Sequence, residues 1–293
     1  RAKPITLALG RSAPGGVALE SLRLLPDFAA LAQWLRTPGP WLAAFDFPFG
    51  LPRELVVHLG WPLSWPELVG HYAALSRDQI RTTFAAFCAA RSAGAKFAHR
   101  ACDRPAGSSP SMKWVDPPVA YMLHAGAPLL LASGVDMPGL HEGDRSRIAL
   151  EGYPGLLARE LIGTRSYKSD AKAHQDEPRR QARIALVDAL EHGRSRLGLR
   201  LLLGDSQRDA LVDDAGADQL DAVLCLMQAA WSAQQPNFGL PERVDPIEGW
   251  IATAQAGAVS GAPSGASSRT PSGTPLRIAA GVTAPAAAPP RSR

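Results

Sequence analysis

The chain has 293 residues, of which 46% are hydrophobic, enough for one large domain or two small ones. Its formal net charge of +4 is mild, so it permits a nucleic-acid partner without indicating one. The three cysteines are scattered without a CxxC motif, which argues against a disulfide framework or structural zinc and favours a reducing, cytoplasmic location. The longest apolar run, residues 122–132, is interrupted by His124, Gly126 and Pro128, so no membrane-spanning segment is expected.

The first elements follow the order β-β-α-β. Residues 5–9 and 16–25 have strand character and are separated by turn-forming residues, which predicts a hairpin. Pro26 and Asp27 begin a helix whose apolar residues recur at helical spacing. The run WLAAFD, residues 41–46, shows no alternation, as expected for a strand that is covered on both faces.

The rest of the chain is mostly helical up to a low-complexity end. Residues 53–143 are predicted to form a helical insertion or cap on the sheet domain, with a separate domain as the alternative. An apolar strand then ends in Glu151, before Tyr-Pro-Gly. Further helices are predicted at 156–163, 178–193 and 215–235, and a late edge strand at 248–252. Residues 255–293 are rich in Ala, Pro, Ser and Gly, which predicts a disordered tail.

Four acidic residues stand at positions that favour a shared site. Asp46 and Glu151 each end an apolar strand, and Asp218 and Asp221 lie three residues apart on one helix face. In α/β architectures ligands gather at the carboxyl ends of strands. Carboxylate oxygens favour Mg²⁺ or Mn²⁺, and paired ions of this kind drive in-line phosphoryl displacement. The sequence therefore predicts Asp46, Glu151, Asp218 and Asp221 as metal ligands and catalytic residues.

Each acid also has a simpler interpretation. Asp46 and Glu151 can cap backbone N–H groups of the turns that follow them. Asp218 can be a helix-start acid favoured by the helix dipole, and Asp221 an ordinary solvated residue. Three separate acidic features, namely Asp46, Glu151 and the pair Asp218 and Asp221, occur in one α/β order of elements. This coincidence favours a shared site over unrelated caps and surface acids.

Two polar segments are candidates for substrate binding. The first is the loop of the insertion, with His99, Arg100, Asp103 and Lys113, which can hold a phosphate or shape a substrate mouth. The second is basic and suits a polyanionic substrate; its members are Lys168, Arg179, Arg180 and Arg183. Both segments can equally be surface features with local salt bridges. No Walker A loop, GxSxG elbow or GxGxxG fingerprint is present, which argues against P-loop NTPases, serine hydrolases and Rossmann dehydrogenases.

Several short motifs carry a family resemblance. In this order, KPITLALG, FDFPFGLP, HRACD, SMKW followed by PP, EGYPG followed by the Tyr-Lys pair YK, DQLDAV and EGWI resemble the DUF429 family, whose members are described as predicted nucleases. The resemblance spans residues 3–254 and implies an α/β fold with an RNase H-like mixed sheet flanked by helices. Asp46 matches the acid of the family's D-x-P-x-G-L-P motif and Glu151 that of E-x-x-P. Asp218 and Asp221 match the acids of the closing helix.

The chain departs from this family at its first strand. RNase H-like enzymes usually place their central metal-ligand Asp there, and this chain begins after that point. We therefore expect the site to lack its principal ligand. We also expect the sheet to lack a central strand, which would leave exposed pairing edges at residues 5–9 and 43–46.

These observations predict a Mg²⁺- or Mn²⁺-dependent phosphodiesterase, a nuclease acting on nucleic acid. Because the first acid is missing, the alternative is a non-catalytic binding or regulatory protein on an RNase H-like scaffold. A third hypothesis is phosphoryl transfer to a small molecule, since sugar kinases and actin-like proteins have a related core. The absence of a Gly-rich phosphate loop counts against this third hypothesis.

Overall fold

The computed structural model describes residues 3–92, 94–255 and 276–282. Its strands are β1 (Ile5–Ala13), β2 (Gly16–Leu25), β3 (Trp41–Phe45), β4 (Val135–Asp136), β5 (Asp144–Glu151), β6 (Arg200–Leu202) and β7 (Arg277–Val282). Its α-helices are α1 (Phe28–Leu35), α2 (Arg53–His58), α3 (Trp65–Ala73), α4 (Arg77–Ala89), α5 (Asp103–Ala106), α6 (Val119–Ser133), α7 (Pro154–Ile162), α8 (Glu177–Glu191), α9 (Asp205–Asp213) and α10 (Asp218–Ser232). Short 3-10 helices occupy Lys172–His174 and Pro236–Gly239.

The strands form one mixed sheet in the order β4-β5-β3-β7-β1-β2-β6. β1 is antiparallel to both β2 and β7, whereas β7, β3, β5 and β4 run parallel to one another. β6 pairs in parallel with β2 at the far edge. The predicted α/β class with a mixed sheet flanked by helices is confirmed.

The predicted β-β-α-β opening is confirmed. β1 and β2 form the hairpin, and Asp27 begins α1 by accepting a hydrogen bond from the Ala30 backbone N–H at 2.9 Å. Every residue of β3 is buried, as the unbroken apolar run predicted. The helices predicted from the second half of the chain correspond to α7, α8 and α10, whereas β6 and α9 were not predicted.

Helices cover both faces of the sheet, because successive strand residues point to opposite sides. In β3, Ala43 and Phe45 pack into the core beneath α1, α2, α3, α4 and α6. Leu42 and Ala44, between them, pack into the opposite core with α7, α8, α9 and α10. The helices predicted as an insertion therefore form one of the two layers on the sheet and share its core.

Strand β7 corrects the expectation of an incomplete sheet. It lies between β1 and β3, so the edges at residues 5–9 and 43–46 are paired on both sides. Its apolar residues Ile278, Ala279 and Ala280 are fully buried. The physical reason is that an apolar segment inserted there satisfies two rows of backbone N–H and C=O groups.

Two other predictions, a disordered tail and a late edge strand, concern the end of the chain. β7 belongs to the segment 255–293 that composition predicts to be disordered, and the rest of that segment, apart from Gln255 and Leu276, lies outside the described residues. The predicted edge strand at 248–252 is wrong, because that segment makes only a single parallel bridge, between Ile251 and Glu151. No helix in the described ranges is long and apolar enough to cross a lipid bilayer.

Candidate active site

All four predicted acids line one open pocket of about 740 Å³. The parallel pairing of β3 and β5 places Phe45 opposite Glu151, so Asp46 and Glu151 emerge at the same edge of the sheet. Helix α10 begins beside this edge and contributes Asp218 and Asp221 from its first turn. The carboxyl ends of two strands and the start of one helix therefore converge as the sequence predicted.

Asp46 is the acid in this pocket whose carboxylate accepts no hydrogen bond from the described residues. Its backbone N–H donates to the Gly281 carbonyl at 3.0 Å, which fixes the main chain beside β7. Burial raises the pKa of the Asp46 carboxyl to about 7, and the charge of Asp221 adds to this rise while Lys168 opposes it. Asp46 therefore changes its charge near neutral pH.

Glu151, in contrast, is fully engaged by the protein itself. Its two carboxylate oxygens each accept a 2.7 Å hydrogen bond from the Arg100 guanidinium, and one also accepts from the Phe49 backbone N–H at 2.9 Å. Burial raises the pKa of Glu151, and Arg100 counteracts this rise. The carboxylate caps the turn after Asp46 and not, as the simpler interpretation had it, the turn that follows Glu151 itself.

The Phe-Pro-Phe-Gly turn holds Asp46 in place through close contacts. The Trp65 indole N–H donates to the Phe49 carbonyl at 2.7 Å, and Glu151 holds the N–H of the same residue. At Gly50 a Cβ atom would lie 2.1 Å from the Ile247 carbonyl oxygen, so only glycine allows this approach of the two backbones. The turn is therefore positioned by tertiary contacts on both sides.

Asp221 is buried and accepts two short hydrogen bonds. The Tyr167 hydroxyl donates to one carboxylate oxygen and the Lys168 ammonium to the other, both at 2.5 Å. Burial lowers the pKa of Lys168, but the charges of Asp221 and Asp46 outweigh it and raise that pKa overall. Lys168 therefore stays protonated, and its ammonium lies beside the carboxylates of Asp46 and Asp221.

Asp218 is neutralised by a residue that sequence reasoning missed. Lys3 bridges Asp218 at 2.9 Å and Asp170 at 2.7 Å. Burial raises the pKa of Asp218, and Lys3 opposes that rise. Lys3 belongs to the KPIT motif, but nothing in the motif itself indicated that its ammonium would reach the start of α10.

The predicted substrate-binding loop contributes Arg100 to the pocket but not its other members. His99 is exposed, and Lys113 donates to the nearby Asp116 carbonyl. Asp103 is fully buried and accepts hydrogen bonds from the Arg100 guanidinium at 2.9 and 3.1 Å. Arg100 therefore joins two buried carboxylates and holds the loop against the pocket wall.

The predicted basic segment likewise contributes one of its four members to the pocket. Lys168 lines the pocket, whereas Arg179 and Arg180 pair with Asp176 and Asp213 on α8 and α9 surfaces. Arg183 is buried, with hydrogen bonds to the Val212 carbonyl at 2.6 Å and the Tyr167 carbonyl at 2.9 Å. The structure does not bring the three arginines to the acids.

Sequence reasoning also missed two tyrosines of the pocket. Tyr167 orients Asp221, and the partly buried Tyr153 follows Glu151 by two residues. Both belong to motifs quoted for the family resemblance, EGYPG and the Tyr-Lys pair, so their presence in those motifs was the available signal. The bond from Tyr167 to Asp221 spans 54 positions and that from the Tyr153 backbone to Gln228 spans 75, so neither could be read from the motifs.

The pocket lining carries equal numbers of acidic and basic side chains. The acids are Asp46, Glu151, Asp170, Asp218 and Asp221, and the bases are Lys3, Arg100, Arg159, Arg165 and Lys168. With all of them ionised, the lining has no net charge. A polyanion would therefore gain little attraction from the pocket unless a further cation bound there.

The acids of the pocket offer few free protein ligands for a divalent ion. Within the described ranges, no group of three or more His, Cys, Asp or Glu side chains is arranged to hold a metal. β7, which occupies the central place in the sheet, has no acidic residue. The Asp46 carboxylate accepts no hydrogen bond from the described residues, whereas both oxygens of Asp221 accept one, so an ion beside this pair would take most of its ligands from water and phosphate oxygens, as Mg²⁺ commonly does. Comparisons of the chain with protein-family models, curated proteins and solved structures found no match.

Proposed function

We propose that this protein is a Mg²⁺- or Mn²⁺-dependent phosphodiesterase that acts on nucleic acid, a nuclease of RNase H-like type. The observation that carries the proposal is Asp46, whose carboxylate lines a pocket beside Asp221 and Lys168 and has no hydrogen-bond donor among the described residues. A carboxylate kept in this state, with a pKa near 7, is typical of functional sites rather than of caps.

Asp46 and Asp221 would hold the metal ion. Such an ion supplies a Lewis acid for the phosphoryl oxygen and lowers the pKa of a bound water. Lys168 places an ammonium beside the same two carboxylates, where it can bind a phosphate oxygen. Tyr167 orients Asp221, and the Arg100–Glu151 pair holds the turn that carries Asp46.

The charge balance of the pocket supports a requirement for metal. Because the lining is neutral overall, two additional positive charges would make the pocket attract a phosphodiester backbone. The protein should therefore bind nucleic acid weakly in chelator and more tightly when Mg²⁺ is present.

The sheet topology also supports an RNase H-like interpretation. The antiparallel group β7-β1-β2 followed by parallel β3 and β5 is the arrangement that the DUF429 resemblance implies, with β7 in the place of the first strand. Composition and the three buried, unpaired cysteines favour a cytoplasmic location.

One observation favours the alternative of a non-catalytic binding protein. The central strand β7 supplies no carboxylate over Arg277–Val282, so the ion would have two protein ligands instead of the usual larger acidic set. In that case the pocket would still bind a phosphate-bearing ligand through Lys168 but would not cleave it.

The proposal is tested with purified protein and labelled single-stranded and structured RNA and DNA, in Mg²⁺, in Mn²⁺ and in chelator. Metal-dependent cleavage is expected, and it should fall by at least about a hundredfold in Asp46→Asn and in Asp221→Asn, in line with loss of transition-state stabilisation. Asp209→Asn is the matched control, because Asp209 is an exposed aspartate on α9 outside the pocket. Unchanged cleavage in both pocket variants would refute the assignment.

A further inference from the structure

We propose that the pocket accepts one unpaired nucleotide of a single strand, with its base stacked on Tyr153 and its phosphate at the Lys168 ammonium. This inference rests on the proposed function, because it names the substrate form that the same site would take. It is carried by a fixed aromatic ring beside the ionic groups and by an apolar wall in the same pocket.

Backbone hydrogen bonds fix Tyr153 beside the acids. The Gly152 backbone N–H donates to the Phe45 carbonyl at 2.9 Å, so the residue before Tyr153 is bonded to the residue before Asp46. The Tyr153 backbone N–H donates to the Gln228 side chain of α10 at 2.9 Å. The tyrosine is therefore held beside both the strand ends and the helix that carry the acids.

Side-chain contacts also fix the orientation of the Tyr153 ring. The Arg159 guanidinium lies over one face of the ring, 5.3 Å from its centroid, and donates to the hydroxyl at 3.2 Å, so a base would stack on the other face. A Cβ atom on Gly155 would lie 2.8 Å from the ring, so the glycine at that position allows the ring to pack closely on the start of α7. Arg159 is in turn anchored on the Ala106 carbonyl at 2.5 Å. The ring is preorganised and only partly buried, as a stacking platform requires.

The rest of the pocket lining is partly apolar and partly ionic. Pro117, Val119 and Met122, from the start of α6, contribute an apolar wall, and none of the three is buried. Asp46, Asp221 and Lys168 form the ionic part of the same space, and Arg165 is a further exposed cation of its lining. One pocket thus offers an aromatic and apolar part for a base and a charged part for its phosphate.

The size of the pocket suits a single nucleotide. A pocket of about 740 Å³ lies within the usual range for small-molecule sites and holds a nucleotide-sized group. A stacked, paired base cannot enter such a space, because it must first leave the duplex at an energetic cost. Single strands pay no such cost, and they bind by stacking on aromatic side chains.

The test compares strands of one sequence by fluorescence anisotropy: a 12-nucleotide single strand in RNA and DNA forms, and the matching duplexes. Ca²⁺ replaces Mg²⁺ so that the strands are not cleaved during the measurement, and gel electrophoresis verifies that they remain at full length. We expect a single strand, RNA or DNA, to bind at least about tenfold more tightly than its duplex. Tyr153→Leu should weaken this binding about fivefold to a hundredfold, while Tyr153→Phe, which keeps the ring, should stay within about twofold.

Thermal unfolding of both Tyr153 variants verifies that they fold. Three outcomes would overturn this inference. They are equal binding of single strand and duplex, no binding of either, and an equal loss of binding in the Leu and Phe variants. Cleavage assays in Mg²⁺ separate it from the proposed function. Duplex cleaved as fast as single strand overturns the inference alone, whereas ring-dependent binding of single strands without cleavage overturns the nuclease assignment alone.

Discussion

Replacing Asp46 by Asn should stabilise the fold in chelator while abolishing activity. The pKa of the Asp46 carboxyl rises from 3.8 to about 7 on folding, chiefly through burial and the neighbouring Asp221 charge. A carboxyl whose pKa is higher in the folded protein binds more protons there than in the unfolded chain. Its ionisation therefore destabilises the fold progressively as pH rises from about 4 to about 7.

The magnitude follows from these two pKa values. At about 1.4 kcal/mol for each tenfold change in proton affinity, the cost is at most about 4 kcal/mol at pH 8 and about 2 kcal/mol at pH 5. The pocket leaves Asp46 partly exposed, so solvent screening lowers both values. Asparagine resembles the protonated acid in shape and removes this cost at every pH.

The assay is thermal or urea unfolding of wild type and Asp46→Asn in EDTA at pH 5 and pH 8. The variant should be more stable at both pH values, with the larger gain at pH 8, and Asp209→Asn should show no such pattern. Adding Mg²⁺ should stabilise the wild type more than the variant, because a ligand of the ion has been removed. A variant that is less stable than the wild type at pH 8, or a gain that is equal at both pH values, would refute the reasoning.

Three further predictions concern groups that support the site. Arg100→Met leaves the buried carboxylates of Glu151 and Asp103 unpaired and should cost about 3–5 kcal/mol at pH 8 in urea unfolding, whereas Arg81→Met, whose side chain is 60% exposed, should cost less than about 1 kcal/mol. Equal losses in the two variants would contradict the assignment of Arg100. Ile278→Ala, in fully buried β7, should cost about 2–5 kcal/mol, and an unchanged urea midpoint would mean that β7 does not fill the sheet. Gly50→Ala forces a Cβ against the Ile247 carbonyl and should lower stability by about 1–3 kcal/mol and reduce cleavage, whereas Gly70→Ala, a helical position with open space, should leave both intact.

Local sequence determined the elements that frame the site. The unbroken apolar run before Asp46 specified a strand buried on both faces, and the helical spacing after Asp218 specified α10. Because parallel strands end at one edge of a sheet, the meeting of Asp46 and Glu151 could also be predicted from the order of elements. Each of these inferences depends on neighbours within one element or on a general rule of α/β topology.

Tertiary structure alone decided how the acids differ from one another. Glu151 and Asp46 have nearly the same local sequence context, yet Arg100 and the Phe49 N–H engage Glu151 while no described residue donates to the Asp46 carboxylate. Likewise, composition predicted that residues 277–282 were disordered, but two open strand edges gave that apolar segment a place between β1 and β3. The physical reason is the same in both cases: a hydrogen-bond partner or a pairing edge that is distant in sequence contributes energy that no local pattern contains.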